Sequence, residues 1–163
     1  MGESYLVEGA MLRCRYGSSS GVLQIPNGHG YTANGLKKAN CKDCKPNENI
    51  PSFGLCRANG AGKDCREHRI LADKWSNSGG SSWSLEELLG HAALTMDSFL
   101  VCMQGGIIVP ESSGQGQVQK IDWNAYEQRY GDLIRDTMEM YLNTGKYGFD
   151  PINLNTGNFI YTK

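Results

Sequence analysis

Apolar residues arrive in short bursts through the first two thirds of the chain, and at helical spacing after that. Tyr5-Leu6-Val7 stops at Gly9, and Met11, Leu12 and Cys14 lead into the turn Gly17-Ser18-Ser19-Ser20-Gly21. Val22-Leu23-Gln24-Ile25 ends at Pro26-Asn27-Gly28. Phe99-Leu100-Val101-Cys102 and Gly106-Ile107-Ile108-Val109 form two further bursts beside Gly105-Gly106. Runs of this length, closed by glycine, proline and asparagine, predict short strands joined by turns. One segment fits two elements. Ser84-Leu85-Glu86-Glu87 has the form of a capping box, with Leu85, Leu88, Leu89 and Ala92 as a helical stripe, yet a strand entry fits as well.

Beyond residue 118 the period changes. Trp123, Tyr126, Tyr130, Leu133, Ile134, Met138 and Tyr141 recur at steps of three and four, with Glu127, Arg129, Asp132, Arg135, Asp136 and Glu139 between them. This predicts an amphipathic helix of roughly 20 residues, capped by Asp122 and ended by Gly145 and Gly148. Its aromatic stripe either packs on the chain's own domain or docks another domain or subunit. Trp123, Tyr126, Tyr130, Leu133 and Ile134 are the candidate docking residues.

Composition sharpens this division. Of 163 residues 21 are glycine, about twice the usual share. All six cysteines and all three histidines lie within residues 1–118. Strands this short bury little each, so the first part needs staples or a template. The net charge of -1 gives no global electrostatic case for nucleic acid, and no apolar run is long enough to span a membrane. The opening residues have no basic segment followed by an apolar stretch, so a Sec signal is not expected. Synthesis in a reducing cytosol follows from that expectation, and there cysteines lean towards metal.

The cysteines are Cys14, Cys41, Cys44, Cys56, Cys65 and Cys102. Cys41-Lys42-Asp43-Cys44 is a knuckle whose spacing lets two thiolates reach one tetrahedral ion at about 2.3 Å each. On local spacing, Cys41, Cys44, Cys56 and Cys65 could form a zinc site. Lys42, Lys45, Arg57, Lys63 and Arg66 would favour the thiolate form. A redox pair, small buried apolar residues and disulfides made after export are the other uses open to these thiols. His29, in the turn Asn27-Gly28-His29-Gly30, is expected to be exposed, and His68 and His91 to be structural. No Gly-x-Ser-x-Gly elbow, phosphate loop or paired-carboxylate motif is present, so no catalytic residue is assigned and an enzyme is not expected.

Several blocks together resemble a family. Val7-Glu8-Gly9-Ala10-Met11-Leu12-Arg13-Cys14 with Gly17 resembles the opening of the PAAR-like spike proteins, a group first catalogued as a domain of unknown function. Asn49-Ile50-Pro51-Ser52-Phe53-Gly54-Leu55-Cys56 is similar to its middle block, with Asp43 and Pro46 where the group often has Asp and Pro. Cys65 followed by Trp75 or Trp83 matches its later Cys and Trp. Gly90-His91-Ala92-Ala93-Leu94, Ser98, Cys102, Gly105, Gly106 and Ile108 match the closing block, which ends at Gly114-Gln115. Near the C-terminus, Asp150-Pro151-Ile152-Asn153-Leu154-Asn155-Thr156-Gly157-Asn158-Phe159 resembles the motif that opens the shell of Rhs proteins.

The resemblance implies a mainly β protein, a small glycine-rich cone or prism over residues 1–118. A linker helix region over 119–148 and the truncated start of an Rhs-like region over 149–163 would follow. It implies a non-enzymatic tip for the trimeric spike of a contractile injection machine of the type VI secretion kind. The tip would couple an Rhs shell and toxin portion of the same polypeptide to that spike, so the chain is expected to be the N-terminal piece of something longer. The protein would be made in a bacterial cytoplasm and delivered outside the cell by the injection apparatus. Zinc near the apex is implied, with Cys14, Cys56 (or Cys44), Cys102 and Cys65 as ligands. The chain departs from the PAAR pattern in having Cys where His is common. The competing expectation is a disulfide-stapled binding or targeting module of a toxin exported by another route.

Overall fold

The computed structural model describes residues 5–57, 63–64, 70–76, 87–88, 91–103 and 106–143. Among the described residues, ten short strands precede one helix: β1 (Met11–Cys14), β2 (Gly21–Val22), β3 (Thr32–Ala33), β4 (Leu36–Lys37), β5 (Leu55–Cys56), β6 (Lys63–Asp64), β7 (Glu87–Leu88), β8 (His91–Ala92), β9 (Leu100–Val101), β10 (Ile107–Pro110) and α1 (Trp123–Asn143). The protein is thus mostly strands in small antiparallel sheets, with one C-terminal helix.

The largest sheet has the order β2-β1-β10-β9, and the other strands pair two by two as β3-β4, β5-β6 and β7-β8. Its centre joins the two ends of the β-rich part. Leu12 faces Pro110, Arg13 faces Val109 and Cys14 faces Ile108 in antiparallel register. All four residues of β10 are buried, which is why its sequence shows an apolar run and no alternation: both faces are covered.

The predicted strands exist, but many exchange partners along their length. Gly21, Leu23 and Ile25 are buried while Val22 and Gln24 are exposed, the period of two that the sequence carries. Only Gly21–Val22 belongs to the ladder: the Leu23 amide still follows the β1 register to the Ala10 carbonyl, and the Gln24 amide then turns to the Asn49 carbonyl. Phe99 to Cys102 behaves likewise. Leu100–Val101 pairs with β10, whereas Phe99 bridges Ser76 and Cys102 bridges Leu71. In the ambiguous segment, Glu87–Leu88 is a strand paired with His91–Ala92. Ser84–Glu86 lies outside the described residues.

The helix follows its sequence signals closely. Asp122 accepts from the Asn124 and Ala125 amides through Oδ1, at 3.1 and 3.2 Å, satisfying donors that a helix start leaves without partners. Tyr126 and Tyr130 lay their rings on Phe99, with centroids 6.4 and 5.0 Å away. Met138 is buried, and Trp123 and Ile134 are half-buried against the same core. Leu133 and Met140 point outwards. Of the candidate docking stripe, therefore, Trp123, Tyr126, Tyr130 and Ile134 lie against the chain's own core and Leu133 faces solvent. No described helix is long and apolar enough to cross a membrane.

Candidate functional site

Two arrangements of backbone stand out from the sheets. In the first, the segments 5–7, 38–40 and 93–95 close on one another. The Leu6 amide donates to the Leu94 carbonyl, the Leu94 amide to the Ala39 carbonyl, and the Ala39 amide to the Leu6 carbonyl, each at 3.0 Å. Leu6, Ala39 and Leu94 are all fully buried. Bridges Tyr5 with Thr95, Val7 with Lys38 and Asn40 with Ala93 connect the same segments in pairs. Each segment thus pairs with both others, and each central residue donates one bond and accepts one. The pattern is a closed ring with local threefold character, in which buried amides are satisfied although no regular strand runs through it.

The CxxC turn sits directly after one ring segment. Asn40 and Asp43 brace it reciprocally. Asp43 Oδ2 accepts from the Asn40 amide at 2.8 Å, the Asp43 amide donates to the Asn40 carbonyl at 3.0 Å, and the Lys42 amide donates to Asn40 Oδ1 at 2.9 Å. His29 Nε2 lies 2.8 Å from the same Asp43 oxygen, with 14% of the imidazole and 8% of the carboxylate side chain exposed. His29 is therefore not the exposed turn histidine that its flanking glycines suggest. A buried carboxylate needs donors, and the histidine loop supplies one. Trp75 closes the turn from the other side: its indole N–H donates to the Asp43 carbonyl at 2.9 Å and its amide to the Cys41 carbonyl at 2.9 Å.

Burial reverses the expected chemistry of this pair of thiols. Lys42 favours the thiolate at both positions, and Lys74 adds to it at Cys41, but desolvation is the larger effect. It raises Cys41 above the ordinary thiol range and, with smaller contributions from Asp73, Asp43 and Cys41, pushes Cys44 up to about 12. At pH 8 the Cys44 thiolate fraction is then about a thousandth of that of an ordinary thiol. Iodoacetamide should accordingly modify Cys44 of the folded chain at least about a hundredfold more slowly than glutathione. Mass-spectrometric time courses measure this directly, and modification at the glutathione rate would contradict the placement.

The second arrangement is the turn end of β1. Cys14 ends the strand, and its carbonyl accepts from the Gly17 amide at 3.1 Å. Gly17 in turn bridges Cys56. A Cβ on Gly17 would stand 2.6 Å from Phe53 Cβ and 2.8 Å from the Phe53 carbonyl oxygen, so only glycine allows this approach. Gly106 plays the same part on the other side. Its carbonyl accepts from the Cys102 amide at 2.9 Å, and a Cβ on it would lie 3.5 Å from Cys14 Sγ. Replacing Gly17 with alanine should cost about 1–3 kcal/mol, read as a lower urea midpoint at unchanged slope.

Backbone contacts thus gather Cys14, Cys56 and Cys102 around two glycines, while Cys41 and Cys44 belong to the braced turn. Cys65 lies outside the described residues, as do His68, Trp83 and the Rhs-like segment at 149–163. Among the described residues no three His, Cys, Asp or Glu side chains stand close enough to hold a metal ion together. Cys14, Cys56 and Cys102 would therefore have to draw closer than they stand here to share one ion with Cys65. Soft thiolates are donors that suit zinc.

A domain of unknown function, DUF4280, matches residues 6–115. The chain belongs to this family. The match begins at the first ring residue, Leu6, and runs past β10, so the ring, the braced turn and the glycine-closed end all fall within the DUF4280 unit, while α1 follows it. Searches of curated proteins and of solved structures find no match to the chain. What sequence inspection missed in the DUF4280 unit is the ring and the histidine–aspartate pair. The one signal available was an Asp inside a CxxC knuckle.

Proposed function

We propose that the protein is a non-enzymatic tip adaptor. Its base stacks on a trimeric spike of a contractile injection machine of the type VI secretion kind, and its C-terminal portion connects to an Rhs shell and toxin. The observation that carries this reading is the closed ring of Leu6, Ala39 and Leu94. A single chain that caps a threefold partner meets three equivalent surfaces at once, and the ring, itself buried, sets the three segments that carry it about a local threefold. Membership of a family with the resemblance described above, over the same residues, supports it further.

The test is stoichiometry. The chain mixed with its cognate spike protein should elute as a complex of one adaptor per spike trimer, with the adaptor on the threefold axis by cryo-microscopy. Equimolar complexes, or a folded chain that never associates with any spike, would remove the proposal.

A zinc ion belongs to the same reading, held by Cys14, Cys56, Cys102 and Cys65. It would cross-link the turn end of β1 to the strands around it, which a domain of such short strands needs. Metal analysis of protein purified without reductant should give about one zinc per chain, lost in Cys14→Ser and Cys102→Ser and kept in Cys41→Ser. Three disulfides and no zinc would favour the stapled module exported by another route.

A further inference from the structure

An open cleft of about 910 Å³ lies between the turn after β1 and the start of α1. Arg15, Tyr16 and Arg57 form one wall, and Lys120, Asp122 and Trp123 lie on the other. Arg57 and Lys120 are exposed, and no carboxylate among the described residues pairs with either. Among the described residues, the Arg57 guanidinium reaches the Arg15 carbonyl, at 3.5 Å. Arg15 has a loose pair with Glu127 at 3.4 Å and lies 5.8 Å from the Tyr16 ring centre. Tyr16 and Trp123 are partly exposed. Three cations and two rings facing one space form a site for an anion that carries an apolar group.

The helix start decides which anion. A phosphate would normally take the free amides at a helix N-terminus. Here Asp122 Oδ1 already accepts from the Asn124 and Ala125 amides, so a carboxylate fills that cradle and its charge opposes a dianion. The remaining cations are spread along two elements and do not converge on a point. Singly charged groups spaced along a chain fit that layout, and the net charge of -1 argues against a nucleic acid strand. We propose that this cleft binds an acidic polypeptide segment of a partner protein, with carboxylates at Arg15, Arg57 and Lys120 and an apolar side chain against Tyr16 and Trp123.

The 163-residue chain can be tested with a fluorescein-labelled octapeptide of glutamates interrupted by two phenylalanines, followed by anisotropy. Saturable binding that weakens as salt rises is expected, with a loss of about tenfold or more in Arg57→Glu/Lys120→Glu. Both side chains are exposed, and an unchanged melting curve checks that the variant folds. Should it not fold, Lys120→Ala alone is expected to weaken binding about threefold. Three results overturn the proposal: no saturation at millimolar peptide, equal binding by the charge variants, or tighter binding of inorganic phosphate or single-stranded DNA than of the peptide.

Discussion

Replacing Trp75 with alanine is expected to remove about 4 kcal/mol or more of stability, enough to unfold much of the chain at ambient temperature. Trp75 is among the largest fully buried side chains, and truncation leaves a cavity in a core with few layers to collapse into it. The same change strips the Asp43 carbonyl of its indole donor, an added penalty of about 1–3 kcal/mol for a buried acceptor. Trp75→Phe separates the two effects, because it keeps most of the volume and loses only the hydrogen bond. Urea denaturation followed by far-ultraviolet circular dichroism measures both variants. A loss under about 1 kcal/mol for Trp75→Ala would mean that the tryptophan does not hold the CxxC turn.

The second large effect is at Phe99, where alanine should cost about 4 kcal/mol and release the helix. Phe99 is fully buried and is the side chain on which both Tyr126 and Tyr130 rest. An amphipathic helix of 21 residues draws most of its stability from the face it packs, so without this seat α1 should fray first. Hydrogen exchange resolves the order. The amides of α1 are expected to lose protection while those of β1 and β10 retain theirs. Equal loss across helix and sheet would show that Phe99 supports the whole core and not the junction.

The helix was legible in the sequence because a single-chain period and a capping aspartate both act locally, and tertiary contacts had only to accept them. The short strands were legible as apolar bursts, since each is bounded by a turn residue. Their partners were not. The amides of Leu23 and Gln24 go to different segments, and no local pattern records such a change. The ring of Leu6, Ala39 and Leu94 left no trace for the same reason: it is made by backbone groups, and three residues are too few to carry a period. Chemistry at the CxxC turn was misjudged in a related way. The basic neighbours of Cys41 and Cys44 are visible in the sequence, whereas the depth of burial that outweighs them is a property of the packed fold. His29 looked exposed because glycines flank it, and its partner Asp43 is fourteen positions away.

The ring also fixes when the domain can be finished. Its three members sit at positions 6, 39 and 94, and β1 awaits β10 at Ile107–Pro110. Pairings of such sequence separation must close large loops before any contact rewards them, so folding should be slow for a chain of this size. On a ribosome, at about 5–20 residues per second, the N-terminal segment waits on the order of ten seconds for its last ring partner to be synthesised. Until Leu94 is made the Leu6 amide has no native acceptor, even after Ala39 can supply its donor, and the early segments are open to wrong pairings. Everything encoded after β10 appears only once the DUF4280 unit has all its strands. A polypeptide extended beyond this chain would therefore be able to complete its leading end before it builds what that end carries.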